Sequence, residues 1–338
     1  MGWYSAVGRR MFFALPPEAS HRVATTLLGW PLPWERLGNV EHDPRLAVTL
    51  AGIPLANPVG LAAGFDKHCA HLDALGRIGF GYVVGGTITL LPRRGNDRPR
   101  IARLPDRRSL VNAMGLPNPG AVFAAHRLAR EARTAPRFVS LADEPVKNVI
   151  AAAELIGAHA DAIELNASCP NVSWGRDRDN EAHLAELLAA LVGLTDRPVF
   201  VKLPPFETEV EREVVLSLAR IARAGGAAGL TCANTRPTGD PRLKVGSGGL
   251  SGAVLTEGTP RMVRELRAAT EGDLAINASG GIASAADALA CIEAGATTVQ
   301  VYTGMIYEGP GIVGEITRGL VRVLRERDLD LPALVGAA

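Results

Sequence analysis

The stretch Ala162-Ile-Glu-Leu-Asn-Ala-Ser-Cys-Pro-Asn171 decides the reading of this chain. Its first half is an apolar run that predicts a buried strand. Its second half crowds two amides, a hydroxyl and a thiol where a strand of a parallel sheet would meet its loop. Seven further runs of the same kind follow the same rhythm: Pro58–Ala63, Tyr82–Thr89, Phe138–Leu141, Val199–Leu203, Gly229–Ala233, Leu274–Ala278 and Thr298–Tyr302. Between most of them lie Ala-, Leu- and Arg-rich helical segments such as Glu181–Val192, Glu209–Arg223 and Ser284–Ala294. Eight strands alternating with helices predict an α/β fold in which a parallel sheet closes on itself, a (β/α)8 TIM barrel. An open doubly wound sheet competes, but no GxGxxG follows the first strand. In a barrel, chemistry is carried by the loops at the C-terminal ends of the strands.

Outside the barrel period, residues 1–38 predict a small N-terminal helical extension, and residues 39–338 the barrel. Trp3–Leu15 and Glu18–Trp30 carry apolar residues at helical spacing, split by Pro16-Pro17 and ended by Pro31 and Pro33. Residues 46–56 predict a hairpin turning at Ala51-Gly52. Two insertions, residues 90–118 and 235–255, interrupt the period; long loops on that rim serve as lids or ligand walls.

With 36 basic against 35 acidic residues, no field of one sign draws the chain to nucleic acid. The four cysteines, Cys69, Cys169, Cys232 and Cys291, show no CxxC pairing. A disulfide framework or a zinc site is therefore not expected, and a reducing cytoplasm is. No apolar run approaches the roughly 18 residues of a membrane span. Pro16-Pro17 also ends the run after Arg9-Arg10 too early for a signal peptide.

Candidate chemistry gathers at the strand ends. Ser279-Gly280-Gly281 and Tyr302-Thr303-Gly304 end adjacent strands, and glycines there let backbone N–H groups approach a phosphate. Lys67 follows the first strand. Lys202 lies within an apolar strand and needs a partner, either a bound ligand or Glu164 in the neighbouring strand. Asn112, Asn166, Asn171 and Asn234 each suit a turn singly, and together suit a small planar polar substrate. Cys169 reads as nucleophile, general base or buried core, with Ser168 as a second choice.

Five motifs together resemble the dihydroorotate dehydrogenases over nearly the whole chain. They are Asn57-Pro-Val-Gly-Leu-Ala-Ala-Gly-Phe-Asp-Lys67, Gly79-Phe-Gly81, Gly95-Asn-Asp-Arg-Pro-Arg100, Gly248-Gly-Leu-Ser-Gly252 and Tyr302-Thr-Gly-Met-Ile-Tyr-Glu-Gly-Pro310. The resemblance implies an FMN-containing barrel that oxidises dihydroorotate to orotate in pyrimidine biosynthesis. It places Ala63, Gly64, Lys67, Thr87, Ser140, Asn166, Lys202, Gly252, Gly280, Gly281, Tyr302 and Thr303 on the flavin. It places Lys67, Asn112, Met114, Gly115, Leu116, Asn166, Asn171, Asn234 and Thr235 on the substrate, and makes Cys169 the catalytic base. No metal is implied.

Two branches of that family are mixed here. The segment Pro17-Glu-Ala-Ser-His-Arg22 and the Tyr302–Pro310 run resemble the membrane-associated branch, whose leading helices cradle a quinone tail. Ser168-Cys-Pro-Asn171 and Asn112-Ala-Met-Gly-Leu-Pro-Asn118 resemble the soluble branch with its cysteine base. Ser140, Ala113 and Ala233 likewise replace an asparagine, an arginine and a threonine of the quinone branch. The expectation is therefore a dihydroorotate dehydrogenase with quinone as acceptor. It would be cytoplasmic and peripheral on the inner face of the cell membrane, with Trp3, Tyr4, Phe12, Phe13 and Leu27 dipping into lipid. The alternative is a divergent paralogue acting on another cyclic amide or ene substrate in specialised metabolism.

Overall fold

The computed structural model describes residues 4–142, 144–167 and 180–337. Eight strands form a closed parallel barrel: β1 (Val59–Leu61), β2 (Tyr82–Ile88), β3 (Arg137–Leu141), β4 (Ala162–Asn166), β5 (Val199–Leu203), β6 (Gly229–Cys232), β7 (Ala275–Ser279) and β8 (Thr298–Val301). Each pairs with its chain neighbour, and β8 closes on β1. The order follows from two-sided burial. Every residue of β2 to β6 is buried, because helices cover the outer face while side chains fill the interior. The expected strands at Ala162–Asn166 and Val199–Leu203 stand as read, and the others shift by one or two residues at one or both ends.

Alternation along the strands sorts the interior into layers. Tyr82, Phe138 and Phe200 stack with ring centroids 4.8 and 5.3 Å apart and close the barrel's lower half. Two residues beyond Phe200 comes Lys202, and on β4 the inward pair is Glu164 and Asn166. Polar groups thus sit directly above an aromatic floor. Outside, the helix Glu209–Ala224 shows how the shell is made. Thr208 and Glu211 form a reciprocal cap, with Glu211 N–H donating to Thr208 Oγ1 at 3.3 Å and Thr208 N–H to Glu211 Oε2 at 3.0 Å. Val215, Leu218, Ala219 and Ala222 then give it one buried stripe.

The two insertions are more than loops. Ile101–Leu104 and Ser109–Asn112 from the first pair with Arg236–Gly239 and Ser247–Gly252 from the second in a four-stranded antiparallel sheet over the rim. Glycine-rich Gly248-Gly249 carries no alternating pattern, so this pairing across more than a hundred residues is invisible locally. The hairpin before the barrel turns where expected, with Leu50 opposite Ile53 and both Ala51 and Gly52 at positive φ.

At the N-terminus, α1 (Arg9–Ala14), α2 (Pro17–Leu28) and α3 (Trp34–Gly38) follow one π-helical turn at Tyr4–Gly8. The α1–α2 pair docks on the rim sheet through arginines. Arg103 donates to the carbonyls of Leu15 at 2.8 Å and of Phe12 and Phe13 at 3.4 Å, and to Ser20 Oγ at 2.8 Å. Buried Arg100 donates to Glu18 at 2.7 Å, with Arg98 at 2.8 Å from the same carboxylate. Burial pushes the Glu18 pKa up, but the two guanidiniums outweigh it and hold the carboxyl below its usual range.

The expected lipid-facing set is corrected here. Tyr4, Phe12, Phe13 and Leu27 turn inward and line a cavity, with Phe13 edge-on to Tyr307 at 5.2 Å and Tyr4 Oη donating to Ile306 O at 2.9 Å. The ring of Phe13 also lies 4.4 Å under the Arg103 guanidinium, which orients it toward the protein. The outward apolar residues are Val7, Met11, Leu15, Val23 and Trp30. Trp3 lies outside the described residues. Among the described residues no helix is long and apolar enough to cross a membrane.

Candidate active site

A cavity of about 1330 Å³ opens at the C-terminal ends of the barrel strands and runs on between α1 and α2. That exceeds the ~300–1,000 Å³ of common small-molecule sites, room for more than one ligand. Its floor is polar and buried. Thr87 Oγ1 lies 3.1 Å from Ser140 Oγ and accepts from Asn166 Nδ2 at 3.2 Å, and Asn234 Nδ2 donates to Asn166 Oδ1 at 3.5 Å. Lys202 Nζ pairs with Glu164 Oε1 at 3.8 Å, and the residue still lines the cavity. Both partners weighed for that lysine are therefore available to it.

The loop after β1 holds a second ammonium. Asp66 accepts backbone N–H bonds from His68, Ala70 and His71 at 2.7–3.2 Å, which fixes the turn, and Lys67 Nζ donates to Gly64 O at 2.5 Å. Burial, with the Arg100 guanidinium adding to it, pulls Lys67 down to about 8 against the opposing pull of Asp66 and Glu18. His21 of α2 lies edge-on to Phe65 at 5.5 Å. Burial and then the Lys67 charge lower it to about 3, so its imidazole is neutral at physiological pH.

Opposite, the ends of β7 and β8 meet. Gly281 at φ +75° faces the Thr256 backbone so closely that no side chain fits, and Gly304 meets Ile282 O in the same way. Two glycine turns are thus pressed together at the cavity edge, with Tyr302 Oη donating to Gly64 O at 3.0 Å across to the first strand. The rim sheet supplies the last wall through Asn112, Met114, Gly115 and Leu116, braced by Asn96, which donates to Ala113 O at 3.1 Å and to Met114 O at 3.0 Å.

A family model described as dihydroorotate dehydrogenase matches residues 45–324. The chain belongs to the dihydroorotate dehydrogenase family. It is 38% identical to a protein of Erythrobacter litoralis named dihydroorotate dehydrogenase (quinone), with 95% of each chain covered. It is 39% identical to one of the same name from Anaeromyxobacter sp. strain K, over 95% of this chain and 92% of that one. Among solved structures, the Eimeria tenella enzyme in complex with ferulenol superposes with a TM-score of 0.84 at 29% identity, over 95% of both chains.

In this dihydroorotate dehydrogenase family member, most of the residues singled out in the sequence converge. Ala63, Gly64, Lys67, Thr87, Asn166, Lys202, Gly252, Gly280, Gly281, Tyr302 and Thr303 line the cavity, as do Asn112, Met114, Gly115, Leu116, Asn234 and Thr235. Ser140 does not. It is fully buried behind Thr87, so its effect on the cavity passes through that hydroxyl. Ser168, Cys169 and Asn171 lie outside the described residues. The reading overlooked Asn96, although it sits inside the quoted Gly95–Arg100 motif. It also overlooked His21, Ser251 and Gln300, the last a cavity-lining amide 2% exposed beside Tyr82. Alternation on β8 could have placed Gln300 inward beside Thr298.

Proposed function

We propose that this protein oxidises dihydroorotate to orotate on a bound FMN and passes the electrons to a quinone. The observation that carries the reading is that one cavity joins two chemistries. A polar end holds Lys67, Asn112, Asn166 and Asn234, and an apolar end between α1 and α2 holds Phe12, Phe13 and Leu27. Its relatives' names, dihydroorotate dehydrogenase (quinone), agree with both ends.

The residues fit a flavin. Lys202 is 6% exposed with Glu164 Oε1 3.8 Å from its Nζ, and the Gln300 amide, 2% exposed, lines the same floor, so the floor has donors and an acceptor for a polar ring edge. The close-packed turns at Gly280-Gly281 and Tyr302-Thr303 suit a phosphate. When bound, the flavin supplies a two-electron acceptor that a quinone later reoxidises.

The chain's own residues would do the rest. Lys67 and the asparagines would hold the substrate's carboxylate and imide edges and stabilise charge developing beside its carbonyl. Cys169 would take the proton from the carbon next to that carbonyl as its thiolate. His21, neutral at physiological pH, adds no charge of its own to the quinone end, where the Arg103 guanidinium lies over Phe13. Residues 1–38 would form the quinone-handling extension and residues 39–338 the catalytic barrel. Val7 and Met11, one turn apart, with Val23 and Trp30 would touch the lipid boundary at the inner face of the membrane.

Cys169→Ala is the test of the chemical step. The variant is expected to retain FMN yet lose about 10²-fold or more of the rate at which dihydroorotate reduces it, the usual worth of a positioned base. Unchanged reduction kinetics would remove the thiol from the mechanism.

A further inference from the structure

Among the described residues Glu164 is the one acidic residue in the barrel's polar layer, and it is 0% exposed. Its carboxylate ends a chain of buried hydrogen bonds. Tyr82 Oη lies 2.9 Å from Thr298 Oγ1, Thr298 Oγ1 donates to Asn277 Oδ1 at 2.6 Å, and Asn277 Nδ2 donates to Thr231 Oγ1 at 3.4 Å. Thr231 Oγ1 then donates to Glu164 Oε2 at 2.9 Å. Since Thr298 spends its proton on Asn277, the Tyr82 hydroxyl must donate. All four hydrogens therefore point the same way, toward the carboxylate, and such a chain polarises to favour an anion at its end. The other oxygen, Oε1, has no hydrogen bond among the described residues and faces Lys202 Nζ at 3.8 Å. Strand register supports the pairing, because Lys202 on β5 lies between Asn166 of β4 and Thr231 of β6.

We propose that Glu164 is a positioning residue for electron transfer: through its ion pair it fixes the Lys202 ammonium at the cavity floor and offsets part of the positive charge presented to the bound flavin. The proposal rests on the flavin reading above. A lone cation beside the ring would stabilise the extra negative charge of the reduced cofactor, and a paired one does so less. The pair thereby holds the potential lower than Lys202 alone would, which favours passing electrons onward to an acceptor. A purely structural Glu164 would do no more than make burial of Lys202 tolerable.

The two roles separate in Glu164→Gln, which keeps shape and the Thr231 contact but removes the charge, and in Glu164→Asp, which keeps the charge. Both are compared with the wild-type holoprotein for sulfite affinity at the flavin and for midpoint potential. The Gln variant is expected to bind sulfite about tenfold more tightly, with the potential raised by the ~30 mV that a tenfold two-electron equilibrium represents. The Asp variant is expected to stay within about twofold of wild type. No shift in the Gln variant, an equal shift in the Asp variant, or loss of flavin from the Gln variant would overturn the proposal, since added positive charge should not loosen the hold on an anionic cofactor. A wild-type protein that takes up no FMN would instead defeat the flavin reading itself.

Discussion

Lys67 is where a single residue says most. Its ammonium is desolvated on the cavity wall and sits near Arg100, so it loses its proton at about 8 rather than above 10. A carboxylate ligand needs the charged form. The sign is therefore fixed: orotate should bind best below pH 8 and weaken by about tenfold between pH 7 and pH 9. Titration of the holoprotein with orotate checks this, and Lys67→Met should bind weakly with a flat profile over that range. An unaltered slope in the variant would assign the titration to another group. Gly281 gives a second test. Its positive φ and its contact with the Thr256 backbone leave no room for a methyl group, so Gly281→Ala should cost about 2 kcal/mol or more of stability and most of the FMN uptake. At this scale the sequence was legible wherever a residue's type was odd for its place, as with a lysine in an apolar strand. It placed Ser140 on the flavin but could not fix its depth, because a serine near a strand end looks alike whether it meets a ligand or stands behind the residue that does.

Elements show the opposite balance. The barrel strands were readable because burial on both faces leaves unbroken apolar runs, and their helices because one stripe is apolar. The rim sheet was not, since its strands are short, glycine-rich and paired far along the chain. Yet that sheet ties the site together, carrying Asn112–Leu116 on one edge of the cavity and Arg100 and Arg103 against α1 and α2. Arg103 holds three carbonyls and one hydroxyl of the helical pair, and each bond to a charged donor is worth roughly 1.5–3 kcal/mol. Arg103→Met should loosen the pair. Amide hydrogen exchange across residues 9–28 is expected to rise and the KM for a soluble quinone to increase about tenfold, while reduction by dihydroorotate stays within about twofold. Equal loss in both half-reactions would mean that the sheet, rather than the docking of the helices, had failed.

For the whole molecule, the fold places a charged, amide-lined pocket at the mouth of the barrel and an apolar passage beneath two helices, and it makes them one space. The sequence announced both ends through separate motifs, from Asn57–Lys67 at one and Pro17–Arg22 at the other. It did not announce their continuity, which depends on α1 and α2 turning Phe12 and Phe13 inward rather than toward lipid. Two half-reactions meeting at one flavin is the central claim, and an anaerobic absorbance experiment on the FMN-loaded protein tests it most directly. Stoichiometric dihydroorotate should bleach the yellow flavin, a dihydropyrimidine lacking the carboxylate should not, and a soluble quinone analogue should then restore the colour faster than fumarate. A flavin that dithionite bleaches but dihydroorotate leaves yellow would contradict the account.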